Sequence, residues 1–160
     1  MSRPMTLQGY EAIQAEIDRL WTEERPVVVK EVSDAADLGD RSENAAYIYG
    51  KKRLRHIDSR IRYLRKKLDG VVPVDLSLMV DHPTVRFGAI VTVENEEGEV
   101  KTWRLVDKEE SEPKKHRISV QSPVGRALAG KKVGDVVEVR LQERLVELEL
   151  LELRYGAGEP

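Results

Sequence analysis

Leu54, Ile57, Ile61, Leu64 and Leu68 recur at spacings of 3, 4, 3 and 4, with charged residues at most positions between them. That is the narrow seam of a coiled coil, not the wider apolar stripe of a globular helix. Tyr10, Ile13, Ile17 and Leu20 follow the same rule at 3, 4 and 3. One seam cannot bury itself. Two seams joined by a short break favour an antiparallel helical hairpin, because a short connection returns the chain alongside itself. The break reads Leu38-Gly39-Asp40-Arg41-Ser42, where Gly39 can take the left-handed conformation that ends a helix. Pro26 falls inside the first helix and is expected to kink or interrupt it. Arms of about 30 residues would extend roughly 45 Å. Gly50, in mid-helix, should cost about 1 kcal/mol relative to Ala and has no functional reading.

The helical period stops near Gly70. Residues 71–83 hold two prolines and no repeat, so they read as a linker. Beyond it, residues 85–94, 100–106, 117–121, 135–141 and 145–153 are β-branched or alternating runs that predict strands. Asn95-Glu96-Glu97-Gly98 is a hairpin turn candidate. Ser122-Pro123 ahead of Val124 to Ala129 and Gly130 has the boundary signals of a short helix: N-cap serine, proline at the first position, glycine after the end. The predicted fold is α+β. Residues 1–75 form the coiled-coil hairpin, and residues 76–160 a strongly bent antiparallel sheet with one short helix.

The 160 residues include no cysteine, which excludes disulfides, thiol catalysis and Cys-based metal sites. His56, His82 and His116 lack ligand spacing. No apolar run approaches the ~20 residues of a membrane span, and the N-terminus has no signal-peptide core, so a soluble, cytoplasmic chain without membrane contact is expected. Lys and Arg number 27 against 29 acids, a formal net charge of −2, which speaks against a nucleic-acid binder held by bulk positive charge. That sum conceals a segregation. Glu23, Glu24, Glu31, Asp34, Asp37, Asp40 and Glu43 outnumber the basic residues up to the break. From Lys51 to Lys67, in contrast, Asp58 is the only acid among nine basic residues. Either block can be a solvated helix face.

At the break, Asp40 or Ser42 can cap the second helix, and Asp40 with Glu43 resembles a capping box. The same two carboxylates, held by short side chains and exposed at the end of a rod, also suit Mg²⁺, which takes one or two carboxylates and completes its shell with phosphate oxygen and water. A carboxylate has oxygens enough for both tasks.

Gly39-Asp40-Arg41-Ser42-Glu43-Asn44-Ala45 followed by Lys51-Lys52-Arg53-Leu54-Arg55 resembles the signature of the bacterial Gre transcript-cleavage factors, most of all those of the GreB type. Glu23-Glu24-Arg25-Pro26 and Ser122-Pro123 with Arg126-Ala127-Leu128 look like the same family, and the resemblance runs from about Leu7 to Val139. It implies a coiled-coil hairpin with an FKBP-like C-terminal domain, and a monomeric accessory factor that is not itself an enzyme. It implies docking at the rim of the RNA polymerase secondary channel, with the tip acids helping to hold a second Mg²⁺ jointly with the polymerase. The polymerase would then cleave the displaced 3′ end of a backtracked transcript. Carried over by position, Asp40 and Glu43 take the catalytic and metal-related role, while Ser42 and Asn44 orient the loop and its water. Arg41, Lys51, Lys52, Arg53, Arg55 and Arg60 would meet the nascent RNA 3′ end, with tempering of repulsion among the acids as the other reading of Arg41. Ser122, Pro123 and Arg126 would dock on the polymerase. At least one of Tyr47 and Tyr49 is read as packing against the other helix, with base stacking as the alternative. The sequence departs from the family at Ala46, where a further acid is usual. A Gre-fold modulator without cleavage and a plain coiled-coil RNA-binding scaffold are the rival readings. Prolyl isomerase activity is not expected, since the second domain offers only Phe87, Trp103 and Tyr155 for an aromatic pocket.

Overall fold

The computed structural model describes residues 2–160 and divides into two compact units: Tyr10–Val71, and the segment up to Gly9 together with Val72–Pro160. The first unit is helical. Helix α1 (Leu7–Arg19) runs into a π-helical turn (Leu20–Glu24) and on into α2 (Arg25–Ala36), with Arg19, Glu24 and Arg25 all in the right-handed helical region, so the backbone stays helical throughout. After a turn, α3 (Ala45–Leu68) returns alongside.

The interruption expected at Pro26 takes the form of that π turn. Proline cannot donate to the carbonyl four residues back, and its ring crowds the same carbonyl. Widening the turn before it relieves the crowding, and Arg25 N–H instead bonds to Leu20 O, five residues back. One residue is thereby inserted into the seam. A strict 3–4 repeat beyond Leu20 would bury Val27, yet Val27 is 55% exposed and Val28 is fully buried. Val28 joins Leu20, Ile57, Ile61 and Leu64 in the hairpin core, with Ile13, Ile17, Val32 and Leu54 packed against them. The two seams read from the sequence are therefore the two halves of one core.

The second unit contains a two-stranded sheet of β1 (Arg3–Thr6) and β2 (Val71–Val74), and a five-stranded sheet in the order β5-β4-β3-β7-β6. Residues 71–83, expected as a linker, thus include a strand and a 3₁₀ turn at Leu76–Leu78. The β-branched run Val71-Val72-Pro73-Val74 tolerates its proline because a two-stranded sheet is all edge. Its partner β1 lies on the far side of the whole hairpin in the sequence, where no local pattern announces it.

Strands β3 (Ile90–Asn95), β4 (Val100–Val106), β6 (Val136–Leu141) and β7 (Arg144–Arg154) are antiparallel neighbours, while β5 (Arg117–Ser119) pairs with β4 in parallel. The turn foreseen at 95–98 joins β3 to β4, with Gly98 N–H donating to Asn95 O at 3.1 Å. The first predicted strand starts later than expected, at Ile90, because residues 84–89 are drawn off by other partners. The Tyr155 hydroxyl donates to Thr84 O at 2.6 Å and accepts from Arg86 N–H at 3.1 Å. Alternate residues of β3, β6 and β7, including Val91, Val93, Val137, Val139, Leu148 and Leu150, fill one core with Leu128 of α4 (Pro123–Leu128). Among the described residues no helix is long and apolar enough to cross a membrane.

Candidate functional site

The turn of the hairpin is built on Gly39, Asp40 and Asn44. Helix α2 ends at Ala36 with Asp37 as its C-cap, and Gly39 takes φ +128°, open only to glycine without strain. Asp40 Oδ1 then accepts two hydrogen bonds from Ser42, from its N–H at 3.0 Å and its hydroxyl at 2.8 Å. These bonds, the hydroxyl one first, hold the Asp40 carboxyl below the usual aspartate range, so it remains an anion. Its second oxygen makes no bond within the described residues, and neither does the Glu43 carboxylate. Both side chains are exposed.

The cap of α3 is Asn44, not Asp40 or Ser42, and the capping-box reading is corrected accordingly. Asn44 Oδ1 accepts from Tyr47 N–H at 3.1 Å, and its Nδ2 donates to Ala35 O at 2.6 Å. An asparagine can do both because it carries acceptor and donor on one amide; an aspartate could only cap. Asn44 thus closes the turn, while the free Asp40 and Glu43 oxygens face solvent. Asp34 is engaged by Lys30 at 3.0 Å. No group of three His, Asp or Glu side chains placed to hold a metal occurs among the described residues. Two carboxylates alone fit the partial shell of a Mg²⁺ ion whose other ligands come from elsewhere.

The basic block is split by the helix surface. Arg53 reaches Glu31 at 3.2 Å and Arg60 reaches Glu16 at 2.9 Å, so these two face the acids of α2 and α1. Lys51, Lys52 and Arg55 are exposed and pair with no acid among the described residues. The Arg41 guanidinium lies 5.6 Å from the centre of the Tyr47 ring. Tyr47 is half-buried, whereas Tyr49 is 66% exposed. Gly50, unexplained by the sequence, is buried against α2: a Cβ there would stand 2.7 Å from Val32 Cγ2.

In the second unit, Ser122 caps α4, accepting from Gly125 N–H at 3.1 Å and donating to Ser119 O at 2.6 Å. Pro123 and Arg126 are exposed beside it. Pro123 borders a cleft with Arg140, Leu141, Arg144 and Val146, and a neighbouring cavity of about 220 Å³ is lined by Trp103, Val124, Leu141 and Leu148. His82 is spent locally, its Nδ1 3.2 Å from Thr84 N.

Comparison with known proteins agrees with this arrangement in both units. Residues 3–72 match the family described as transcription elongation factor, N-terminal, and residues 80–155 match transcription elongation factor GreA/GreB, C-terminal. Transcription elongation factor GreB of Yersinia pestis is 49% identical over 154 residues, covering 96% of this chain and 90% of its own. The GreB of Haemophilus influenzae is also 49% identical over 154 residues, covering 96% and 97%. That of Pasteurella multocida is 48% identical over 158 residues, again covering 96% and 97%. With both domains matched in order and nearly half of all residues shared, this chain belongs to the GreA/GreB family of transcription elongation factors.

Proposed function

We propose that the chain acts on RNA polymerase as a GreB-type cleavage factor, placing its acidic hairpin tip in the secondary channel and stimulating cleavage of backtracked transcripts. The observation that carries this reading is the turn itself. Asp40 is kept ionised by Ser42 through one oxygen and keeps the other free, next to an unpaired Glu43 on an exposed turn locked by Asn44. A structural turn needs no such spare carboxylates. Asp40 and Glu43 would hold a Mg²⁺ ion jointly with the polymerase. Such an ion, when bound, supplies a water activated for attack on a phosphodiester. Ser42 fixes the rotamer of Asp40, and Asn44 fixes the backbone on which both acids stand. Lys51, Lys52 and Arg55 would meet the phosphates of the extruded RNA, a charge contact weakened by salt. Arg53 and Arg60 would first have to leave Glu31 and Glu16. Pro123 and Arg126, beside an apolar cleft, suit the docking surface, with Ser122 shaping the helix that presents them.

The test is to add the protein to stalled, backtracked elongation complexes with Mg²⁺ and follow shortened, re-extendable RNA. Wild type should cleave; Asp40→Ala and Glu43→Ala should not; and Ser42→Ala should cut the rate by about tenfold, as loss of a ligand-orienting bond does. Cleavage that survives both acid substitutions overturns the tip as the working site. Ala46 favours one second reading, a polymerase modulator that binds without cleaving, and wild-type binding with no cleavage would establish it.

A further inference from the structure

The larger sheet has two edges, and they are guarded differently. Strand β5 offers only three residues. Strand β6 offers six, holds no proline or lysine, and pairs with β7 without a register shift. Short strands, prolines, lysines and bulges are the usual means of blunting an edge, so β6 is the edge left open to another strand. Its phase is fixed just ahead of it, where Leu150 N–H donates to Asp135 O at 2.9 Å. Backbone direction alternates along an antiparallel pair. Val137, Val139 and Leu141 therefore turn their N–H and C=O to β7, while Val136, Glu138 and Arg140 turn theirs outward. All three outward residues are exposed, Val136 at 57%.

Two of the three carry charges that the fold does not answer. Glu138 stands directly opposite another acid, Glu147 of β7, and Arg140 opposite Leu145. Neither forms an ion pair among the described residues. Like charges face to face destabilise a sheet, so Glu138 is a cost that its own chain leaves unrelieved. The two charges are opposite in sign and two residues apart, which makes the edge complementary to itself. In a two-fold antiparallel pairing of two copies, a centre at Glu138 or at Arg140 sets like charges against each other. A centre at Val139 sets each Glu138 against the partner's Arg140, in the positions where outward backbone groups exchange both hydrogen bonds.

We propose that β6 is a homodimerisation edge, at which two copies of this chain join their sheets antiparallel about Val139. Six residues a side make a small contact, so the dimer is a transient one that forms at high protein concentration. The cleft beside Pro123 is lined in part by Arg140 and Leu141, so pairing would cover part of it. Competition between self-pairing and polymerase docking follows, and that consequence alone rests on the proposed function.

The experiment uses the purified full chain without polymerase or RNA, so its outcome is independent of the cleavage reading. Sedimentation equilibrium from micromolar to millimolar protein should show a monomer–dimer equilibrium. Glu138→Arg and Arg140→Glu, each alone, set like charges at both pairs and should weaken the dimer about tenfold or more. Mixed in equal amounts, these two variants should form a heterodimer, because each then meets the opposite charge twice. That mixture also controls for folding, since a misfolded variant could not be rescued by its counterpart. In the wild type, amide exchange at Glu138 and Arg140 should slow as concentration rises, while Val139, already bonded to β7, stays unchanged. A chain that remains monomeric throughout overturns the proposal. So does a dimer indifferent to both single substitutions, which assigns the contact to another surface, and so does a mixture of the two variants that stays monomeric.

Discussion

Val32 and Gly50 meet across the hairpin, and their contact decides the sign of a substitution that helix propensity alone gets wrong. Propensity says that Gly50→Ala gains about 1 kcal/mol. The new methyl, however, would lie 2.7 Å from Val32 Cγ2. Valine in a helix is held in one strongly preferred rotamer, so it cannot swing aside cheaply, and overpacking of this kind costs about 1–3 kcal/mol. Gly50→Ala is therefore expected to lower the urea midpoint of the hairpin. In a Val32→Ala background, where the obstruction is gone, the same substitution should raise the midpoint by about 1 kcal/mol equivalent. A gain in both backgrounds would mean that Val32 does not set the residue at position 50. Gly50 looked costly and unexplained in the sequence because its reason lies on the other helix.

At the scale of elements, the turn and the helix it starts depend on a single amide. Asn44→Ala removes the cap of α3 and the bond to Ala35 O together and should cost about 1–2 kcal/mol. Asn44→Asp keeps an acceptor for Tyr47 N–H but cannot donate to Ala35 O. Amide exchange separates the two roles. The first turn of α3 should lose protection in Asn44→Ala and keep it in Asn44→Asp, whereas both variants should lower cleavage if the turn must be rigid. The helices, their seams, the acid turn and all five strands of the larger sheet were legible in the sequence, because periodicity and cap chemistry are local. The register shift after Leu20 was not legible. Three consecutive valines, 27–29, give any register an apolar residue, and only the π turn ahead of Pro26 selects Val28. Pairing of β1 with β2 was invisible for the opposite reason, separation along the chain. Within the site, Asp40, Ser42 and Glu43 could be picked out by residue type. The division of the basic block into a paired flank and an open lane required knowing which acids stand opposite Arg53 and Arg60.

For the molecule as a whole, the net charge of −2 is the sum of surfaces that act apart, and its response to pH follows from individual acids rather than from that sum. Two acids depart from ordinary titration in opposite senses. Asp40 is shifted down by the Ser42 bonds, so its contribution is present above the ordinary aspartate range and is lost as pH falls through its lowered value. Glu110 is shifted up, first by burial, with Asp107 adding to the shift and the bonds from Thr6 and the charge of Arg117 opposing it. The Thr6 N–H donates to Glu110 Oε1 at 2.7 Å and the Thr6 hydroxyl to Oε2, at the point where β1 gives way to α1. The folded chain thus holds the Glu110 proton more tightly than the unfolded chain does. Stability of the C-terminal unit should accordingly decline as pH climbs from the ordinary glutamate range to the raised value, and Glu110→Gln should abolish that decline while its amide oxygen still accepts from Thr6. Urea unfolding between about pH 4 and 8, followed by Trp103 fluorescence in a Trp21→Phe background, reads this unit without the hairpin. Ser42→Ala should return the Asp40 carboxyl resonance to the ordinary range and leave the unfolding slope unchanged. A decline that persists in Glu110→Gln would assign the pH response to other groups and remove Glu110 as its source.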